Sequence, residues 1–374
     1  MEYFAFVNTP VVLRHISVMS DSDSSSSAGS LRAIAREAGV SRMTVSRILN
    51  GRGGHRAEVV YKVKQAAERV GYQINPHVAA AMEQVRRTQP AQYLETLAFL
   101  HKGSLQEVLR SRHGAGVYQG IQERAGELGY QIEPHPYPES REDARRLRGI
   151  LQARGIRGLI LGTINTPGPL LYMDLSPFAA AAIGFTITRP SLVRVTSDGF
   201  LRSELALQKC LSRGYDRLAG IFEPRGDAPT GYQLLAPFLI QEKLSQLQGS
   251  TTQISVHLLE LGVSEEDLDR QLAQFLKVSR PQVVISARRA IFHSLNRLGL
   301  LDEIRFLHLN WTEEGSRPLG LVGVDQQSPA QGRAAVDAVS ARLHSGERGP
   351  AQEPRDLHVP PSWCGKLDAP AVAG

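Results

Sequence analysis

The clearest chemistry in this chain sits on one short stretch. In Ala35–Asn50, reading AREAGVSRMTVSRILN, winding a helix from Arg42 gathers Arg42, Met43, Ser46 and Arg47 on one face, opposite Val45, Ile48 and Leu49. Guanidiniums at that spacing suit a polyanion. Arginine donates two parallel N–H bonds to a phosphate or to the O6/N7 edge of guanine, and each good base contact of this kind contributes about 1–3 kcal/mol of discrimination. The surrounding charge agrees. Between Ser30 and Thr88 there are 11 Lys/Arg against four Asp/Glu, a balance of +7, whereas the whole chain carries +6 and the remainder therefore −1. A positive patch confined to one small unit is the electrostatic footprint of a nucleic-acid partner.

Those side chains need a scaffold, and the local pattern supplies one. Leu31, Ile34, Ala35 and Ala38 recur at helical spacing, and Gly39 follows where a helix ends in a left-handed residue. Val40 points to a core, and Ser41 is a good N-cap for a second helix from Arg42 to about Leu49. A third helix over about residues 57–70 buries Val59, Val60, Val63, Ala66, Ala67 and Val70 and stops at Gly71. Three short helices with a tight glycine turn between the first two make a helix-turn-helix unit.

The wording of this unit resembles the LacI/GalR family of bacterial transcription regulators. The resemblance rests on Leu31, Ala35, Ala38-Gly39-Val40-Ser41, Thr44-Val45-Ser46-Arg47, Leu49-Asn50, Lys62-Val63, Ala66-Ala67, Gly71-Tyr72 and Asn75, which align without an internal gap. It implies that Arg42, Met43 and Arg47 occupy base-reading positions. Leu31, Ser41, Thr44, Ser46, Asn50 and Tyr72 then face the DNA backbone. Met43 offers no hydrogen bond, so it would read shape or a thymine methyl; packing into the unit is its other reading. The chain departs from the family where His55-Arg56 replaces a Val-Ser cap, and in the glycine-rich loop Gly51-Arg52-Gly53-Gly54. It departs again in the hinge, Pro76 to about Val85, where the family's minor-groove leucine corresponds to Ala81, beside Met82. Alanine is too small to unstack bases well, so either Met82 takes the wedge role with a small register change or the protein kinks DNA less.

Beyond a polar linker at residues 86–92, strands and helices alternate to the end of the chain, which argues for parallel sheets covered by helices. Further landmarks of the resemblance lie here: GVYQGIQERAGELGY at Gly116–Tyr130, Gly158-Leu159-Ile160, Val195-Thr196-Ser197-Asp198 and Arg213-Gly214-Tyr215. The fold expected is therefore an all-α helix-turn-helix domain followed by an α/β two-lobed, type I periplasmic-binding-protein-like domain. Residues 1–29 are expected to be a disordered Ser/Asp-rich extension, with Met19 an alternative start. The helix-turn-helix domain spans 30–74, hinge and linker 75–92, the effector-binding and dimerisation domain 93–366, and a tail 367–374.

In such a fold a ligand sits at the carboxyl ends of the strands, between the lobes. The resemblance places effector contacts at Asp198, Asn310, Trp311, Gln326 and Gln327, although Asp198 is equally suited to cap the helix that follows it. Trp311 could stack on a ligand or fill core. An arginine expected three residues before Gly231-Tyr232 is Ala228 here, with Arg225 nearby.

Other function classes find less support. Walker A, HExxH and GxSxG motifs are absent, and Cys210 and Cys364 form no metal-spaced set, so neither an enzyme nor a metal or other cofactor is expected. No apolar run reaches the roughly 20 residues of a membrane helix. The expectation is a cytoplasmic, nucleoid-associated homodimer that binds double-stranded operator DNA, most simply as a repressor, and answers to a small molecule. A solute-binding receptor with the same two lobes is the rival reading, opposed by the basic N-terminal unit and the missing signal peptide.

Overall fold

A computed structural model describes residues 31–49, 56–70, 95–164, 172–260 and 262–369. The chain divides into two compact units, Met1–Ala79 and Ala80–Gly374.

The first unit contains three helices, α1 (Leu31–Ala38), α2 (Arg42–Leu49) and α3 (Ala57–Arg69). Gly39 adopts φ +65, which a side-chain-bearing residue would resist, and the Val40 amide donates back to the Ala35 carbonyl at 3.0 Å. The turn thus closes within two residues. Ile34, Val45, Ile48, Val63, Ala66 and Ala67 form the core, with Val59, Val60 and Val70 half-buried against it. An Arg69–Glu37 ion pair at 3.2 Å joins α3 to α1 on the surface. At the start of α3, Arg56 stands in the N-cap position and makes no side-chain cap bond, as the His55-Arg56 departure implies.

The second unit is two α/β lobes. In the N-terminal lobe, β1 (Glu95–His101), β2 (Tyr130–Pro136), β3 (Gly158–Leu161), β4 (Ala179–Ile183), β5 (Val193–Ser197) and β11 (Asp356–Val359) form one sheet in the order β11-β5-β4-β3-β1-β2, all parallel. The helices on this side are α4 (Leu105–Arg110), α5 (Arg112–Glu127), α6 (Arg141–Ala153) and α13 (Ser328–Ser345). In the C-terminal lobe, β6 (Arg217–Phe222), β7 (Gln253–Leu258), β8 (Val283–Ser286), β9 (Arg305–Trp311), β10 (Val322–Asp325) and β12 (Ser362–Cys364) are ordered β12-β10-β9-β8-β6-β7. Only β12 runs antiparallel. Its helices are α7 (Gly199–Ser212), α8 (Pro224–Asp227), α9 (Ala236–Leu247), α10 (Glu265–Ser279), α11 (Arg289–Arg297) and α12 (Glu313–Ser316).

Each sheet carries apolar clusters on both faces, because strands covered on two sides must be apolar throughout: GLIL in β3, AAAAI in β4 and VVIS in β8 are wholly buried. Helices α5 and α13 cross so closely that a Cβ at Gly120 would overlap the Pro329 backbone, and one at Gly332 the Val117 carbonyl. That crossing anchors α13, which follows a strand of the C-terminal lobe, onto the N-terminal lobe.

Three segments cross between the lobes: β5 into α7, β10 into α13, and β11 into β12. They are tied to one another. The Asp198 amide donates to the Val359 carbonyl at 3.1 Å, and Gln327 Nε2 donates to Ser362 Oγ at 2.7 Å. Gln327 itself has φ +60, held by its amide donating to Asp325 Oδ1 at 2.7 Å. A left-handed non-glycine residue costs on the order of 1 kcal/mol and persists only where its neighbours fix it.

Most strands and helices expected from alternation are present, with ends shifted by a few residues. The sequence reading missed α4, although Ser104 and Glu107 form a reciprocal capping box there, and it missed the short helices α8 and α12 and the strands β11 and β12.

Candidate functional site

The first candidate surface is the outer face of α2. Ser41 Oγ accepts the Thr44 amide at 3.1 Å and lies 2.9 Å from the Thr44 hydroxyl, so it is a true N-cap. Arg42 and Met43 are exposed, Met43 to 68%. The packing alternative for Met43 is thereby removed: a flexible apolar side chain projects from the first turn of a helix whose back is sealed by Val45 and Ile48. Thr44 is half-buried beneath its bond to Ser41. Leu31, Ser46 and Arg47 are placed on α1 and α2 by their backbone. Asn50, Tyr72, Ala81 and Met82 lie outside the described residues. At the start of α2, helix amides and Arg42 combine the positive end of the backbone dipoles with a mobile cation, a combination that favours phosphate.

The second candidate is a cavity of about 700 Å³ between the lobes of the second unit. Its N-terminal-lobe wall includes His113, Thr163, Ile164, Phe185 and Thr186. The facing wall includes Arg225, Pro229, Thr230, Gln233 and Leu234, and the crossing segments contribute Thr196, Ser197, Gly199, Arg202, Gln326 and Gln331. Strand ends and helix starts thus converge on one space.

Arg202 dominates its chemistry. It projects from the second turn of α7, is only 6% exposed, and donates from Nη1 to Asn310 Oδ1 at 2.8 Å and to Gln326 Oε1 at 3.1 Å. Its Nε has no hydrogen-bond partner. Burial lowers its pKa to about 10, against the pull of Asp227, Asp198 and Asp325, so it remains a cation at neutral pH. Across the cavity, the His113 Nδ1 lies 2.9 Å from Ser328 Oγ. Burial, aided by the Arg202 charge, pushes its pKa down to about 4 and leaves a neutral imidazole.

The residues expected at the effector site separate into four groups. Arg225 and Gln326 line the cavity. Asn310 stands behind the lining, positioning Arg202 while its Nδ2 donates to the Ala287 carbonyl at 3.2 Å. Gln327 braces the crossing segments through Ser362, and Asp198 caps α7 by accepting the Leu201 amide at 2.8 Å. Trp311 is corrected outright: at 7% exposure it belongs to the C-terminal-lobe core, with its indole N–H donating to the Leu321 carbonyl at 2.7 Å. A large aromatic whose polar atom finds an internal acceptor gains more from burial than from facing a wet cleft.

Sequence reasoning missed Arg202 itself. A signal was present, since Arg202 shares a buried stripe with Ala206 and Cys210 at four-residue spacing, where a charge is anomalous. Among the described residues, no group of three or more His, Cys, Asp or Glu could hold a metal ion, and no helix is long and apolar enough to cross a membrane.

Residues 30–75 match the model described as bacterial regulatory proteins, lacI family. Over 343 residues, 86% of this chain and 93% of the relative, the sequence is 24% identical to the HTH-type transcriptional regulator KdgR of Bacillus subtilis (strain 168). It is 25% identical over 332 residues to PtxS of Pseudomonas putida, spanning 85% of this chain and 90% of the relative. Among solved structures, the CelR–cellobiose complex superposes with a TM-score of 0.53 at 19% identity, covering 91% of this chain and 99% of that one. The lac repressor dimer bound to operator and the anti-inducer ONPF gives a TM-score of 0.52 at 18% identity, with the same coverage. These superpositions establish a common fold.

Proposed function

We propose that the chain, whose residues 30–75 match the lacI family of bacterial regulatory proteins, is a sequence-specific, operator-binding transcription regulator of that family governed by a small molecule in the interlobe cleft. The observation that carries the first half is the α2 face: an N-capped helix start presenting Arg42 and Met43 to solvent, in the segment that matches the family model. Arg42 and Arg47 supply base readout, Met43 shape or methyl contact, and Leu31, Ser41, Thr44, Ser46, Asn50 and Tyr72 the backbone register. Met82 is the wedge available where Ala81 is too small.

The cleft supports the second half. Relatives of the same fold are described in complex with cellobiose and with an anti-inducer, and the cavity here is lined by two of the three crossing segments, β5 into α7 and β10 into α13. A ligand that prefers one arrangement of those segments changes operator affinity only by its differential affinity for the two arrangements. On this proposal the protein acts as a repressor in the cytoplasm.

Homodimerisation has its own support. Leu239, Ile240, Leu244 and Leu247 of α9 are exposed together with Leu258 on the edge strand β7, an apolar surface of the kind that a second copy covers. Two copies place two recognition helices in successive major grooves of a palindromic site.

The test is an electrophoretic mobility shift with DNA from upstream of the chain's own gene. A sequence-selective complex whose log affinity falls linearly with log salt is expected. Binding indifferent to sequence would overturn the reading.

A further inference from the structure

We propose that the cleft ligand is a small organic anion, a carboxylate or phosphate on a hydroxyl-bearing body, and that Arg202 is its counter-charge. The proposal deepens the effector reading above and rests on it for the cleft being a ligand site.

The lining makes the first argument. Among the described residues, the charged side chains on the cavity wall are Arg202 and Arg225, and no aspartate or glutamate joins them. His113 is neutral there, so it adds a hydrogen-bonding ring without a compensating charge. A cleft built for a neutral ligand has no need to hold on its wall a guanidinium that no carboxylate hydrogen-bonds.

Arg202 makes the second argument. A buried cation ordinarily sits against a carboxylate, because desolvating it alone is costly. Here Arg202 is more than nine-tenths buried, its hydrogen-bond partners are the neutral amides Asn310 and Gln326, and Nε is left unpaired. The carboxylates that bear on it from neighbouring elements are committed elsewhere. Asp198 accepts the Leu201 amide, Asp325 accepts the Gln327 amide, and Asp227 accepts the Leu234 and Leu235 amides at 3.0 Å each and the Thr230 hydroxyl at 2.6 Å. None of the three is on the cavity wall. No carboxylate among the described residues hydrogen-bonds this guanidinium, which lines the cavity, and its planar fork suits a carboxylate or phosphate.

The body of the ligand follows from the remaining wall. Thr186 and Thr230 face the space from opposite lobes with Gln233, while Phe185 and Ile164 offer apolar surface. Hydroxyls on an otherwise compact carbon frame match that mixture, and about 700 Å³ admits a six-carbon molecule with ordered water.

Isothermal titration of the full chain with matched probes tests the assignment: D-glucose against D-glucuronate, D-glucitol against D-gluconate, and D-glucose against glucose 6-phosphate, with inorganic phosphate alone. The acid of at least one pair is expected to bind about tenfold or more tightly than its neutral partner, as a charge-assisted bond requires. Comparison of the carboxylate and phosphate pairs then separates the two anion sources. Arg202→Gln should abolish the preference and Arg202→Lys keep part of it. Arg225→Gln, an exposed position outside the Asn310–Gln326 network, should weaken the preference severalfold and serves as the second variant if Arg202→Gln does not fold. Equal binding within every pair, a preference untouched by both arginine variants, or no binding by any probe would overturn the proposal. So would inorganic phosphate binding as tightly as glucose 6-phosphate, which would leave the body without a role. An acid that binds but leaves the mobility shift unchanged would instead overturn the effector reading and leave the anion assignment standing.

Discussion

Arg202 donates to Gln326 at 3.1 Å, so a helix of the C-terminal lobe holds the segment that carries β10 across into α13 of the N-terminal lobe. The cleft cation and the crossing segment are therefore one mechanical unit. Whatever draws Arg202 toward the cavity also pulls on the connection between lobes.

Gln326→Leu should expose that coupling. Removing one acceptor from a buried guanidinium is expected to cost about 1–3 kcal/mol in urea unfolding, beyond what a surface Gln→Leu change costs. The same variant should blunt any ligand effect on operator binding. An unfolding midpoint identical to the parent would show that the bond contributes nothing.

Met43→Ala should separate stability from recognition. At 68% exposure Met43 packs against little, so the thermal midpoint should hold within the range of an ordinary surface change, about 0.5 kcal/mol. Operator preference should relax at the base step it faces, measured by selection of bound sequences from a randomised pool. A drop of several degrees in the midpoint would return Met43 to a packing role.

Stability should fall on mild acidification. Burial, with the charges of Arg289, Arg202 and Arg112, lowers His308 to about 4, and burial with Arg202 lowers His113 to about 4. His101 and His257 are lowered in the same direction by burial. Above the ordinary value of 6.5 folded and unfolded chains are both neutral at these sites. As pH falls below it, the unfolded chain takes up protons that the folded chain refuses. Stability should decline by up to about 1.4 kcal/mol per pH unit for each of His308 and His113, levelling near pH 4, with His101 and His257 adding in the same direction. Chemical denaturation between pH 7.5 and 5 measures this slope, and a flat profile would contradict it.

Ile240→Asp should dissociate the proposed dimer. The residue is 48% exposed on α9 beside Leu244 and Leu247, so a charge there leaves the lobe intact and places two carboxylates in a self-complementary interface. Sedimentation should show a monomer whose operator affinity is down by orders of magnitude. A variant that sediments as the parent does would move the interface to another face.

How much of this was legible in the chain depended on the range of the interactions. The helix-turn-helix unit could be read directly, because Ser41 meets Thr44, Gly39 closes the turn onto Ala35, and Ile34 and Val45 repeat at local spacing. Strands such as GLIL and VVIS announced themselves by being apolar on both faces. By contrast β11, with the sequence DLHV, and the three-residue β12 have no local pattern that marks a strand. They exist because β5 and β10 present unpaired edges for them.

The cleft divides the same way. Sequence by itself determined that a basic recognition unit precedes a two-lobed α/β body, and that Gln326 and Arg225 fall near strand ends. Tertiary structure alone decided that Trp311 turns into the core and that Asp198 is consumed as a cap. It also set Arg202 against Asn310 and Gln326, which lie 108 and 124 residues away along the chain. A cap or a turn is closed by neighbours within a few residues, so the order of residue types encodes it. The surroundings of a buried charge are assembled from distant strands and helices, and no local pattern states which of their side chains will be left facing it.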